Sequence, residues 1–179
     1  KQRDWDSPEL MSFSNGTLNT VTQQFTQSHR RQDCLTFSFP FEYNSDATCQ
    51  QWQKFLDETF QGDQELIQLL RAAMKWSLSP KPDAPFQFEL YFDIYGRRGC
   101  GKGTISEVLL ALVGRAGHGI ARPKTFTNPN ALTGLIGKKI AIDPDSAGHL
   151  SDCGVFNSVV SNEFVETKTL YQDVSCARL

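Results

Sequence analysis

The chain has 179 residues, with 18 basic and 20 acidic side chains and a formal net charge of −2 at pH 7. This balance excludes a protein that binds nucleic acid through an overall positive charge, so any contact with DNA has to be local or shared among subunits. The length suits one sizeable core, or one core with a small appendage. The sequence contains no apolar run of about 18 residues and no signal-peptide pattern, and we therefore expect a cytoplasmic protein.

The cysteines and histidines are widely spaced along the chain. The five cysteines form no C-x-x-C motif, which predicts reduced thiols and argues against a disulfide framework or a zinc site. The three histidines are equally dispersed, and each is expected on the surface or in a loop. The cysteines are Cys34, Cys49, Cys100, Cys153 and Cys176, and the histidines are His29, His118 and His149.

The first part of the chain is predicted to contain short strands. Residues 1–10 are polar and are expected to be a linker or the start of a fragment. Residues 11–43 are rich in Thr, Phe and Val, which favours strands, and Pro40 marks an edge or an end. Asn15-Gly16-Thr17 is formally a glycosylation sequon, but Asn-Gly is interpreted as the tight turn of a hairpin.

Two helices and a proline-rich linker are predicted next. A helix over residues 49–60 places Trp52, Phe55, Leu56 and Phe60 on one face, and Asp63 is suited to cap a second helix that ends at about Trp76. Residues 79–85 contain three prolines that cannot continue a helix or a central strand, so we place the domain boundary there. The apolar stripe expected to face the core on the second helix consists of Leu66, Leu69, Leu70 and Ala73.

Residues 88–114 have the pattern of a strand, a glycine-rich turn and a helix. The turn, GRRGCGK at residues 96–102, fits the phosphate-binding motif G-x-x-x-x-G-K. Glycines allow consecutive backbone amides to face one anion, the following helix adds the positive end of its dipole, and Lys102 reaches the outer phosphates. The alternative is a glycine-rich turn without a ligand. The predicted nucleotide-binding residues are Gly96, Arg97, Arg98, Gly99, Cys100, Gly101, Lys102, Gly103 and Thr104.

The candidate metal ligands depart from the commonest form of this motif. Gly103 stands where Ser or Thr usually supplies a hydroxyl to Mg²⁺, so a water or Thr104, one position later, is the candidate substitute. A second predicted strand, residues 137–142, ends in Asp143 and Asp145, and either carboxylate is placed to orient Mg²⁺ and the attacking water. The alternative is a strand followed by an Asp-Pro-Asp turn. Residues 162–174 alternate as in a strand or hairpin.

Together these segments resemble the phage and plasmid primase–helicase family, whose motor belongs to helicase superfamily three and has poxvirus-type ATPases as relatives. The loop is similar to the family's Walker A, for which GKGT is an accepted variant, although Cys100 stands where the family often has Asn. The "GK-strand-acid" pattern is similar to its Walker B and favours Asp145 as the acidic residue. The similar segments are residues 13–18, 43–47, 52–56, 95–104, 137–145 and 170–173.

The resemblance implies an α/β fold with a partial, AAA+-like P-loop NTPase core over residues 86–179, preceded by a small α+β helicase-associated domain over residues 11–78. It implies the ATP-hydrolysing motor of a replicative DNA helicase from a phage, plasmid or other mobile element, with ATP and Mg²⁺ as cofactors. DNA and a ring of subunits, hexameric in full-length relatives, are the implied partners. Lys168 is a candidate DNA contact, and the sensor and arginine-finger segments of the family are expected beyond Leu179.

Two other functions fit the same loop. GKGT also resembles small-molecule phosphotransferases of the adenylate kinase type, although those place the loop near the N-terminus and here about half the chain precedes it. A nucleotide-binding assembly module without turnover is the non-enzymatic alternative, because no sensor strand is visible in the sequence.

Overall fold

The structure is a computed structural model that describes residues 5–7, 9–79, 91–143, 154–169 and 173–177. These residues fall into two compact units, one within Lys1–Asp83 and Ile94–Gly114 and the other within Ala84–Asp93 and Arg115–Leu179. The first unit contains β1 (Leu10–Phe13), β2 (Gly16–Asn19), β3 (Phe25–Thr26), α1 (Gln50–Thr59), α2 (Gln64–Leu78) and most of α3 (Lys102–Gly117). The second contains β4 (His118–Ile120), α4 (Pro129–Leu132), β5 (Ile140–Ile142), α5 (Gly154–Val160), β6 (Val165–Lys168) and β7 (Val174–Ala177).

The sheet of the first unit is an antiparallel meander in the order β1-β2-β3. Phe13 pairs with Gly16, so the hairpin predicted from the sequence is confirmed, but its two turn residues are Ser14 and Asn15, one position earlier than the predicted Asn-Gly turn. The strand predicted over residues 34–43 is reduced to a bridge between Phe39 and Phe13. Hydrogen bonds from Phe39 N to Ser12 O (2.9 Å) and from Ser14 N to Phe41 O (3.0 Å) hold this segment beside β1. Pro40 lies between them and has no N–H with which to extend a ladder.

Both helices of the first unit form where they were predicted. The Asp63 carboxylate accepts hydrogen bonds from Glu65 N and Leu66 N and so caps α2. The apolar stripe predicted for α2 is wrong, however, because Leu66 and Leu69 are 45% and 63% exposed, whereas Ile67 is only 1% exposed. The helix carries apolar side chains on more than one face, and the packing of the unit buries the face that contains Ile67.

The second unit combines a parallel strand pair with a hairpin. The pair β4–β5 is parallel and brings Ile120 opposite Ile142, and β6–β7 is antiparallel. The strand at the end of the GK segment and the hairpin near the C-terminus are therefore confirmed, whereas β4 was not predicted. Among the described residues, no helix is both long and apolar enough to span a membrane. The buried core of this unit contains Phe126, Leu132, Leu135 and Val165.

Candidate nucleotide-binding loop

The glycine-rich turn is built by two residues in left-handed backbone conformations. Gly99 has φ 81° and Gly101 has φ 89°, values that favour glycine because a Cβ is strained there. Cys100 N donates to Arg97 O at 3.3 Å, which closes the turn, and Ile105 N donates to Gly101 O at 3.1 Å, which opens the helix. The turn is therefore followed directly by α3, as the sequence predicted.

The helix that follows the turn ends where its glycine was predicted to end it. Gly114 has φ 67° and ψ 178°, so the regular helix that begins at Lys102 is interrupted there. Ile105 and Val113 are each 2% exposed, and the helix therefore buries the face that contains them. This burial fixes the helix, and with it the position of the turn at its N-terminus.

The sequence predicted a strand before the turn, and the residues of this segment that the structure describes do not form one. Residues 91–97 have no strand assignment, and no sheet of the described residues contains them. Tyr91 and Tyr95 are 62% and 87% exposed. An alternating sequence favours extended backbone, but a strand also needs a neighbour that completes its ladder of hydrogen bonds. The first residues of the prediction, Phe88 to Leu90, lie outside the described residues.

The N-terminus of α3 presents amides that make no hydrogen bond within the described structure. The N–H groups of Gly101, Lys102, Gly103 and Thr104 donate to no acceptor among the described residues. Such amides carry the positive end of the helix dipole and are the groups with which helix N-termini bind phosphate. The donor set is therefore suited to an anion.

The Lys102 ammonium group folds back over the turn. Its Nζ donates to Gly96 O at 2.7 Å and to Arg97 O at 2.8 Å, and it lies 3.6 Å from Cys100 Sγ. An ammonium group has three donors, and sulfur is the weakest of these three acceptors. A phosphate oxygen that took the place of the sulfur would leave both backbone contacts intact. The side chain is thus held at the loop in a position from which it can reach an anion.

The four glycines differ in what surrounds them. A Cβ at Gly101 would lie 2.9 Å from Phe55 Cζ, and one at Gly96 would lie 2.5 Å from Cys100 Sγ. At Gly99 and Gly103, by contrast, no atom lies within 4 Å of the added Cβ. One side of the loop is therefore closed by α1 and the other side is open.

The remaining predicted residues do not all join this loop. Arg97, Arg98 and Thr104 are exposed around it. Asp143 belongs to the second unit, where it follows the last residue of β5 at the carboxyl end of a parallel strand pair. Asp145 lies outside the described residues, so the predicted pairing of loop and acid stays a prediction.

Lys168 is the last residue of β6 and is exposed. Its carbonyl accepts a hydrogen bond from Thr133 Oγ1 at 3.1 Å, which ties the hairpin to the short helical segment that precedes it. Its role as a DNA contact stays a prediction. The described residues contain no group of three or more His, Cys, Asp or Glu side chains arranged to hold a metal ion.

Comparison with known proteins finds a family similarity in the first third of the chain. Residues 1–61 match the family model described as D5 N terminal like. This region is similar to the N-terminal region of phage and viral primase–helicase proteins. The resemblance seen in residues 13–18, 43–47 and 52–56 is therefore confirmed at this coarser level, whereas the loop lies outside the matched residues. No curated protein matches the chain.

Sequence reasoning missed the contact between the loop and α1. Phe55 was assigned to the core through its helical spacing alone, and its position against Gly101 joins the D5-like residues to the glycine-rich loop within one unit. Nothing in the local pattern of either segment indicates this contact, because the two are far apart in the sequence.

Proposed function

We propose that this chain carries the ATP-binding and ATP-hydrolysing motor of a replicative DNA helicase of the primase–helicase type. One observation carries the proposal: the N–H groups of residues 101–104, at the start of α3, make no hydrogen bond within the described structure, and the Lys102 ammonium group is held on the carbonyl groups of the same glycine turn. The similarity of residues 1–61 to D5 N-terminal regions supports the replicative context.

In this proposal the amides from Gly101 to Thr104 hold the phosphates of ATP through backbone hydrogen bonds. Lys102 neutralises the outer phosphates after its ammonium group exchanges the contact with Cys100 Sγ for a phosphate oxygen. The open side of the loop at Gly99 and Gly103 is the side from which the phosphates approach. Arg97 and Arg98, both exposed, add positive charge at this entrance.

Mg²⁺, when bound, would neutralise the negative charge that develops on the phosphates during transfer. Thr104 would supply the hydroxyl that Gly103 lacks, and Asp145, with Asp143 as the second candidate, would supply the carboxylate. The same carboxylate would accept a hydrogen bond from the attacking water and orient it. DNA, and further copies of this chain in a ring, are the proposed partners of the motor.

The proposal is tested by calorimetric titration of ATP and ADP, each with and without Mg²⁺, into the whole chain and into Lys102→Ala. We expect binding that is lost, or weakened at least about tenfold, in the variant, because a charged hydrogen-bonding partner of the phosphates is removed. Lys54→Ala is the matched control, since Lys54 is an exposed lysine of the same unit whose side chain is 77% exposed.

Equal affinity of a folded Lys102→Ala variant and the wild type would contradict the assignment of the loop. Binding without turnover in a single-turnover assay would instead favour the nucleotide-binding module without activity. Formation of ADP from ATP and AMP in a coupled assay would favour the phosphotransferase. Far-ultraviolet circular dichroism of each variant separates loss of binding from loss of fold.

A further inference from the structure

A second cationic site lies on the surface of the D5-like region, away from the phosphate loop in sequence. A cleft of about 530 Å³ is lined by Arg30, Arg31, Gln32 and Cys34. All of these residues lie inside the segment 1–61 that matches the family model. The cleft therefore belongs to a part of the chain that the proposed ATP chemistry does not use.

The turn that carries the two arginines is fixed at both ends. At one end His29 Nδ1 lies 3.3 Å from Ser12 Oγ, which belongs to β1 and is 7% exposed. At the other end Cys34 O accepts a hydrogen bond from Asp6 N at 3.1 Å. Asp6 also accepts from Thr36 N at 2.6 Å and from Thr36 Oγ1, which extends the second anchor. The arginines are thus presented by an anchored turn.

The two arginines differ in how their charge is balanced. Arg30 Nε forms an ion pair with Asp33 Oδ2 at 3.4 Å, and the Asp33 side chain is 8% exposed whereas that of Arg30 is 52% exposed. Arg31 forms no ion pair with any residue that the structure describes. Beside the Asp6 carboxylate that Thr36 holds, Arg31 therefore adds to the cleft a positive charge that has no ion pair among the described residues. The other polar side chain of the cleft, the amide of Gln32, donates as well as accepts.

An exposed aromatic residue, Trp5, directly precedes the residue that hydrogen-bonds to Cys34. Trp5 is 60% exposed. Its neighbour Asp6 donates through its backbone N–H to Cys34, so the Trp5 backbone lies beside a residue that lines the cleft. Guanidinium groups recognise phosphate through paired hydrogen bonds, and exposed aromatic rings stack on unpaired bases. These two elements together are what sequence-independent binding of single strands requires.

We propose that the cleft formed by Arg30, Arg31, Gln32 and Cys34 binds the sugar–phosphate backbone of single-stranded DNA, with Trp5 stacking on a base. An anionic membrane surface fits less well, because such surfaces recruit clusters of about 4–8 basic residues, and this cleft has two arginines, one of them paired. The choice of DNA rests on the replicative role proposed above, but the site is separate from the loop and has its own test.

The test is fluorescence anisotropy of a labelled oligothymidine of about 16 nucleotides, the upper end of single-strand site sizes. We expect Arg31→Gln to weaken binding about tenfold. We also expect it to reduce the slope of log K against log salt by about 0.7, the value for one lost phosphate contact on a single strand. Trp5→Leu is expected to weaken binding at least about fivefold without changing the slope. Arg71→Gln, an exposed arginine on α2, is the matched control.

Arg31→Gln is the informative variant because its guanidinium has no ion pair in the described structure, whereas Arg30→Gln also removes the partner of Asp33. Lys102→Ala separates the two sites: if it loses ATP and keeps the oligothymidine, the cleft acts independently, as proposed. Equal affinity and salt dependence of Arg31→Gln and wild type would overturn the proposal. The proposal would also be overturned if the protein bound phosphatidylserine vesicles through Arg31 but did not bind the oligothymidine.

Discussion

Gly101 of the glycine-rich loop lies against the ring of Phe55 on α1, so that a Cβ at this glycine would be 2.9 Å from Phe55 Cζ. The same glycine has φ 89°, in the left-handed region that disfavours side chains. Two separate physical reasons therefore require glycine at this position. One of them depends on a helix inside the D5-like residues, so that helix helps to set the shape of the loop.

Substitution of Gly101 by alanine is expected to lower the free energy of unfolding by about 1–3 kcal/mol, through backbone strain together with the overlap with Phe55. Gly99→Ala is the matched control, because Gly99 has φ 81° but no atom within 4 Å of an added Cβ. Adding Phe55→Leu to the Gly101→Ala variant should restore the part of the free energy of unfolding that is lost through overlap with the Phe55 ring. Urea unfolding followed by circular dichroism measures all three variants. Equal losses at both glycines would contradict the contact.

Gly103 offers the opposite test, because it lies in the first turn of α3 with open space around it. Gly103→Ala is expected to raise the free energy of unfolding by about 0.5–1 kcal/mol, since glycine loses more backbone entropy in a helix. Gly103→Ser adds a hydroxyl at the position where most phosphate loops have one, and is expected to raise ATP affinity in Mg²⁺ only. Calorimetry in Mg²⁺ and in EDTA measures the ATP affinity of Gly103→Ser under both conditions, and Gly103→Ala is the control. Equal affinity of Ser and Ala variants in Mg²⁺ would contradict this role.

Those parts of the fold that depend on local interactions were predictable from the sequence. The carboxylate of Asp63 and the first hairpin both depend on neighbouring residues: the cap occurs where the sequence places it, and the hairpin turn lies one residue earlier, at Ser14-Asn15. The buried face of α2 was not predictable in this way. Leu66 and Ile67 are adjacent and similarly apolar, and only packing with other elements decides that Ile67 is the buried one.

In the candidate site, too, the features that depend on neighbouring residues were predictable, and those that depend on distant residues were not. The composition of the loop predicted a glycine-rich turn at the start of a helix, and the structure has that turn, with Gly99 and Gly101 in left-handed conformations. The contact of Gly101 with Phe55 depends on a distant segment, so no local pattern indicates it. The strand expected before the loop likewise depends on distant residues. The alternating sequence favours an extended backbone, but a strand forms only where another strand pairs with it.

The side-chain amide of Asn15 replaces a backbone partner for Tyr43. Its Nδ2 donates to Tyr43 O at 3.0 Å, and its Oδ1 accepts from Tyr43 N at 2.8 Å. Asn15→Ala is expected to lower the free energy of unfolding by about 1–3 kcal/mol, because it leaves two part-buried backbone groups without their partner. Asn15→Asp keeps only the acceptor and should cost less. Thermal unfolding compares both variants with Ser14→Ala, a control at an exposed neighbouring residue. A loss of stability in Asn15→Ala no larger than that in Ser14→Ala would contradict a stabilising role of these two hydrogen bonds.

Cys100 provides a chemical probe of the loop, because its Sγ lies 3.6 Å from Lys102 Nζ and its side chain is exposed. If phosphate displaces the thiol from the ammonium group, bound ATP should shield Cys100 from iodoacetamide. At an ATP concentration about ten times the dissociation constant, alkylation should slow about tenfold, because only the unbound fraction reacts. Peptide mapping by mass spectrometry follows Cys100 together with Cys49, an exposed free cysteine of the same unit whose rate should not change. Lys102→Ala should remove the protection, since it removes the affinity for ATP. Equal alkylation of Cys100 with and without saturating ATP would place the phosphates elsewhere, and the loop would then be a glycine turn that α1 shapes for packing alone.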